Sequence, residues 1–69
     1  MEMIFAQRLR NLRNEFGLKQ EQLAVALHTT QRRISYWETG KIEPDLKTLC
    51  MLAEYFNVST DYLLGLKDF

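Results

Sequence analysis

An all-α fold of five short helices is what this 69-residue chain predicts. Apolar residues recur three and four positions apart, the period of a helix buried along one face. No stretch alternates polar and apolar residues for long enough to read as a strand. Three glycines and one proline fall between the periodic runs, where breaks in the chain are needed.

The first run spaces Phe5, Leu9, Leu12 and Phe16 at four, three and four residues, a single apolar stripe. Gly17 follows it in the position that favours a left-handed cap. The second helix runs from about Gln20 to Leu27, with Leu23, Ala24 and Leu27 on one side. With Lys19 as its N-cap, Leu18 and Leu23 take the two positions of a hydrophobic staple. Lysine is a poor cap, because an ammonium group cannot accept a bond from the orphan amides. After His28, Thr29 and Thr30 comes a third helix, from about Gln31 to Glu38. Thr30 caps it, Ile34 and Trp37 form its buried side, and Gly40 stops it. Beyond Pro44, Asp45 is a good N-cap for a fourth helix, in which Leu49, Leu52, Ala53 and Phe56 keep helical spacing. Asn57 closes that helix, and Val58 packs back over its end. Ser59 then caps a short last helix that runs through Leu64 to Gly65.

At 8.2 kDa the chain makes one domain, expected over 1–69, with no room for separate cofactor and substrate domains. So short a chain buries only about 60% of its unfolded surface. A core this small rarely supplies more than about 3–5 kcal/mol without staples or a partner. Composition is ordinary for a folded protein, 46% hydrophobic and 26% charged, which excludes intrinsic disorder. No uninterrupted apolar run exceeds five residues, far short of the roughly 20 a membrane span needs. The N-terminus lacks an apolar stretch preceded by basic charge, so no secretory leader is expected. The single Cys50 cannot form an internal disulfide, which fits a reducing cytoplasm. Flanked by Leu49 and Met51, its thiol is expected to be partly buried.

Enzymatic chemistry fails on inventory. One histidine and one cysteine, far apart, do not make a typical zinc site. No glycine-rich phosphate loop exists, and no nucleophile, base and orienting group stand at plausible positions. Catalytic residues, metal and cofactor are therefore all expected to be absent. Net charge is zero, yet it is unevenly distributed. Residues 1–41 carry seven basic and four acidic side chains, +3, and residues 42–69 carry two and five, −3. A neutral molecule with a positive face can still be steered to an anionic partner.

Two short helices joined by a three- to four-residue turn form the helix-turn-helix unit, here about 20–39, whose second helix enters the major groove of DNA. That spacing alone is a weak signal. The residues strengthen it: RLRNLR (8–13), GLKQEQLA (17–24), TTQRRISYWETG (29–40), Pro44, LCMLAEYFNVS (49–59) and DYLLG (61–65) stand in order. In this order and spacing they resemble the Cro and phage-repressor type of helix-turn-helix domain, the XRE family, from Phe5 to Gly65. The resemblance implies a compact five-helix, lambda-repressor-like DNA-binding domain.

The chemistry of the third helix agrees. With Ile34 and Trp37 inward, Gln31, Arg32, Ser35, Tyr36 and Thr39 share the opposite side and Arg33 its flank. An ordinary solvated face would mix both signs of charge, whereas this set contains no acid. Glutamine pairs with adenine and arginine with guanine in bidentate fashion, and hydroxyl groups reach phosphate or sugar. The resemblance implies base contacts from Gln31 and Arg32, and in some members from Arg33 and Tyr36. It implies a phosphate anchored at the start of the second helix by Gln20 and its amide, where Lys19 replaces the usual serine or threonine and adds a cation. Lys41 matches another phosphate contact, and Thr30, Ser35 and Thr39 join this positioning set. Glu43 departs from the basic residue many members carry, which removes a second contact from that loop. His28 stands where the family usually has a glycine, so a left-handed conformation is expected there.

Other residues read as structural. Arg13 and Glu38 match a family pair that ties the first helix to the third. Arg8 and Arg10 are expected to be solvated, and Trp37 and Tyr55 to be core or boundary aromatics. The expected function is a cytoplasmic, sequence-specific regulator of transcription, a repressor binding double-stranded operator DNA as a homodimer. Leu66 and Phe69, in an unusually apolar chain end, are candidates for a protein partner's surface. Two alternatives stay open: an antitoxin whose partner covers the C-terminal half, and a protein-interaction module on the same frame.

Overall fold

The structure, a computed structural model, describes residues 3–69. Met1 and Glu2, the start of the expected 1–69 domain, lie outside the described residues. Five helices follow one another: α1 (Met3–Glu15), α2 (Gln20–Ala26), α3 (Gln31–Glu38), α4 (Leu46–Phe56) and α5 (Thr60–Leu64). No strand occurs among the described residues. None of these helices is long and apolar enough to cross a membrane. Packing of α1 on α3 and α5, α2 on α3, and α4 on α5 encloses one core. Leu9, Leu23, Ile34, Leu52 and Leu63, one side chain from each helix, are fully buried at its centre.

All five helices end in the same way. The amide of a left-handed residue and the amide after it turn back onto carbonyls of the last turn, the Schellman closure. The left-handed residues are Gly17, His28, Gly40, Asn57 and Gly65, with φ between +56° and +82°. At the end of α2, for example, His28 N–H donates to the Val25 carbonyl at 3.2 Å and Thr29 N–H to the Ala24 carbonyl at 2.9 Å. The left-handed expectation for His28 therefore holds.

N-caps follow expectation at three helices. Thr30, Asp45 and Ser59 accept bonds from the amides of Arg33, Thr48 and Tyr62 at 3.2, 2.8 and 2.9 Å. The Thr48 hydrogen bonds hold the Asp45 carboxyl below the usual carboxylate range, with smaller help from the charges of Lys47 and Arg33. Lys19, the N-cap of α2, makes no side-chain cap bond. Half of a capping box compensates: Lys19 N–H donates to Gln22 Oε1 at 2.8 Å. Leu18 packs against the core as the staple requires.

Several side chains sit elsewhere than the sequence predicts. Phe16 lies beyond the end of α1 and is half exposed, its ring edge-on to Phe56 at 4.9 Å. Cys50 is exposed, because one residue along a helix from buried Leu49 turns about 100° away from the core. Arg8 is not solvated. Its guanidinium donates to the carbonyls of Tyr62 and Lys67, meets Asp68 at 3.3 Å and stacks on the Tyr62 ring at 4.2 Å. It thereby ties the chain end beyond α5 to α1.

Candidate nucleic-acid interface

Helix α3 projects its polar face because Ile34 and Trp37 are driven into the core. Gln31, Arg32, Arg33 and Thr39 are exposed, and Ser35 and Tyr36 half buried. The structure thus brings the sequence-predicted base-reading residues, Gln31, Arg32, Arg33 and Tyr36, onto one short helix. Thr30 sits at its start and Lys41 just past its end. The Lys41 ammonium lies over the Tyr36 ring, 4.9 Å from the centroid. Arg33 leans to the flank, beside the open groove of about 300 Å³ formed with Tyr36, Trp37, Pro44, Asp45 and Thr48. Thr39 is turned back: its hydroxyl donates to the carbonyls of Ser35 at 3.0 Å and Tyr36 at 3.3 Å. That hydroxyl hydrogen is committed to the helix.

The acid closest in sequence to this face is withdrawn from it. Glu38, 2% exposed, accepts two bonds from Arg13, from Nε at 2.5 Å and from Nη2 at 3.0 Å. Arg13 also donates to the Leu18 carbonyl at 2.8 Å, closing the turn before α2. The bond to Glu38 raises the Arg13 pKa above its ordinary value, against the opposing effect of burial. The Arg13–Glu38 pair expected from the resemblance is present.

Sequence reasoning missed one connection. Gln20, at the start of α2, donates from Nε2 to Glu38 Oε1 at 3.1 Å, and its Oε1 accepts from Gln31 Nε2 at 2.5 Å. A chain of bonds therefore runs from Arg13 through Glu38 and Gln20 to Gln31 on the outer face. Its links cross 25, 18 and 11 residues of sequence, and no local spacing signals them. Lys19 is exposed beside Gln20, so a cation flanks the amides that begin α2.

Comparison with known proteins places this arrangement. The helix-turn-helix family model matches residues 9–63. Over 61 residues the chain is 43% identical to the SPbeta prophage-derived HTH-type transcriptional regulator YonR of Bacillus subtilis, covering 88% of this chain and 56% of YonR. Over 63 residues it is 40% identical to the HTH-type transcriptional activator BcrR of Enterococcus faecalis, covering 91% of this chain and 31% of BcrR. It thus spans about half of one relative and a third of the other. Among solved structures it is similar to the P22 c2 repressor in complex with a synthetic operator, with a TM-score of 0.83 and 28% identity. That match covers 87% of this chain and 91% of the repressor chain. With its α2–turn–α3 unit, its outward polar helix and this match over most of its length, the chain belongs to the helix-turn-helix family, whose members named here are regulators and not enzymes.

Proposed function

We propose that the chain is a sequence-specific, double-stranded-DNA-binding regulator of transcription, a cytoplasmic repressor that acts as a homodimer and inserts α3 into the major groove. The observation that carries the reading is the outer face of α3, polar and basic without an acid, on a frame like that of a repressor bound to its operator. Gln31 and Arg32 read base edges at the N-terminal end of the helix, with Arg33 and Tyr36 behind them. Lys19, the amide of Gln20, Thr30, Ser35 and Lys41 position the duplex through phosphates. Thr39 contributes through its place at the helix end rather than through its committed hydroxyl hydrogen. Dimerisation sets two copies of α3 about 34–36 Å apart on successive turns. Leu66 and Phe69, 71% and 82% exposed, offer apolar surface to a partner.

Selection from random duplex DNA tests this reading. The expected result is one half-site recovered twice at a fixed spacing. A chain that retains no duplex even at low salt, where phosphate contacts are strongest, would instead be a protein-interaction module on this frame. Placing the selected site within a promoter then gives the sign: a repressor lowers reporter output, and a rise would align the chain with activators such as BcrR.

A further inference from the structure

The relay that ends at Gln31 has a direction, and the direction bears on which base is read. A carboxylate carries no hydrogen, so the side of Gln20 that meets Glu38 must be its NH₂ group. Its carbonyl oxygen is then the side that faces Gln31. That oxygen only accepts, so Gln31 must turn its own NH₂ toward Gln20. What remains for the groove is the Gln31 carbonyl oxygen and its second N–H, one acceptor and one donor. Adenine offers the complement, a donor at N6 and an acceptor at N7. With both amides flipped, Gln31 would spend its oxygen on Gln20 and present two N–H donors. Guanine, with acceptors at N7 and O6, would be the complement of that arrangement. Glu38 fixes the sense of the relay, because its carboxylate can only accept and Arg13 clamps it through two bonds in a site 2% exposed.

We infer that Glu38 is a specificity-determining positioning residue: acting through Gln20, it holds Gln31 in the orientation that selects adenine over guanine at one base pair of each half-site. The inference rests on the reading that Gln31 faces base edges. It assigns the buried acid a consequence beyond tying α1 to α3. Glu38 itself touches no base.

The test compares sequences selected from randomised duplex DNA by the wild-type chain, Gln31→Ala, Gln20→Lys and Glu38→Gln, each checked by thermal melting to be folded at the selection temperature. The Gln31→Ala variant identifies the position Gln31 reads, as the one whose preference relaxes. Wild type prefers adenine there. Gln20→Lys keeps Glu38 and puts an ammonium, a donor only, between it and Gln31, so Gln31 must accept and the polarity reverses. The adenine-to-guanine ratio at that position then falls about fivefold or more, the size of one bidentate contact, while other positions keep their preference. The added charge strengthens binding to all sequences alike and leaves the ratio free of that effect. Glu38→Gln, whose amide both donates and accepts, moves the ratio toward equality. If Glu38→Gln is unfolded, Gln20→Lys decides alone, since its site is at the surface end of α2. An unchanged ratio in Gln20→Lys, or a wild-type preference for guanine, overturns the inference while leaving base reading by Gln31 intact. If Gln31→Ala relaxes no position, base reading by Gln31 fails, and the relay's role fails with it.

Discussion

His28 is a strained residue whose cost can be estimated. It holds φ +56° in the turn between α2 and α3, where a side chain costs about 1–2 kcal/mol relative to the right-handed region. Histidine tolerates that region better than most residues, and glycine gives back about 0.4–1 kcal/mol through its freer unfolded chain. The strain relief wins by a fraction of a kcal/mol. His28→Gly should therefore raise the Tm by a few degrees, followed by circular dichroism, with DNA affinity unchanged. A lower Tm would contradict the strain argument. The Arg13–Glu38 pair gives a second estimate at this scale. Arg13→Met leaves a carboxylate buried to 2% exposure without its cation, at about 3–5 kcal/mol. That equals the whole stability a core of this size usually supplies, so the variant should be largely unfolded at 25 °C. Glu38→Gln keeps an acceptor for Arg13, which also holds the Leu18 carbonyl, and should cost less, about 1–3 kcal/mol. Urea denaturation of both variants checks the order; equal losses would show that the burial of Glu38 does not decide the cost.

Helix ends are where local sequence speaks most directly. Thr30, Asp45 and Ser59 at the starts, and Gly17, Gly40, Asn57 and Gly65 at the finishes, are legible because each acts on amides or carbonyls within a few residues of itself. Side chains whose partners arrive from elsewhere are not. The carbonyls that capture Arg8 lie 54 and 59 residues away, so amphipathic spacing along α1 could only place it at the surface. Phe16 continues the stripe of α1 on paper, but the chain leaves the helix before it and reverses at Gly17. The weak start of α2 is legible and also improvable. Lys19→Ser would complete the capping box with Gln22, stabilising the chain by about 1 kcal/mol. The same change removes a cation beside the amides of α2, so affinity for all duplexes should fall and the salt slope should drop by about one. A melt and two binding isotherms at different salt concentrations measure both effects. Unchanged Tm would show that Gln22 alone already satisfies the helix start.

At the scale of the whole molecule, 28 × 23 × 21 Å, the proposed function asks a neutral chain to hold a polyanion with one side only. Basic groups are in excess in residues 1–41 and acidic ones in 42–69, and Glu38 is turned inward onto Arg13, while Glu43 and Asp45 line the groove beside Arg33. The proposed homodimer would set its two copies of α3 about one helical turn apart along a duplex. The outward set on α3 was legible because inward Ile34 and Trp37 define its opposite, whereas the relay behind Gln31 required the fold. The claim that joins these scales is that α3 reads bases while its surroundings hold phosphates. Affinities of the wild-type chain, Arg32→Ala and Lys41→Ala for the selected site and its single-base variants, at two salt concentrations, test that claim most directly. Arg32→Ala should lose about 1–3 kcal/mol and flatten preference at one base pair per half-site. Lys41→Ala should keep the preferred sequence and weaken specific and non-specific binding together, with a salt slope lower by about one. If Arg32→Ala weakens every duplex equally and leaves all base preferences in place, Arg32 is a phosphate anchor and α3 does not read DNA in the way its outer face requires.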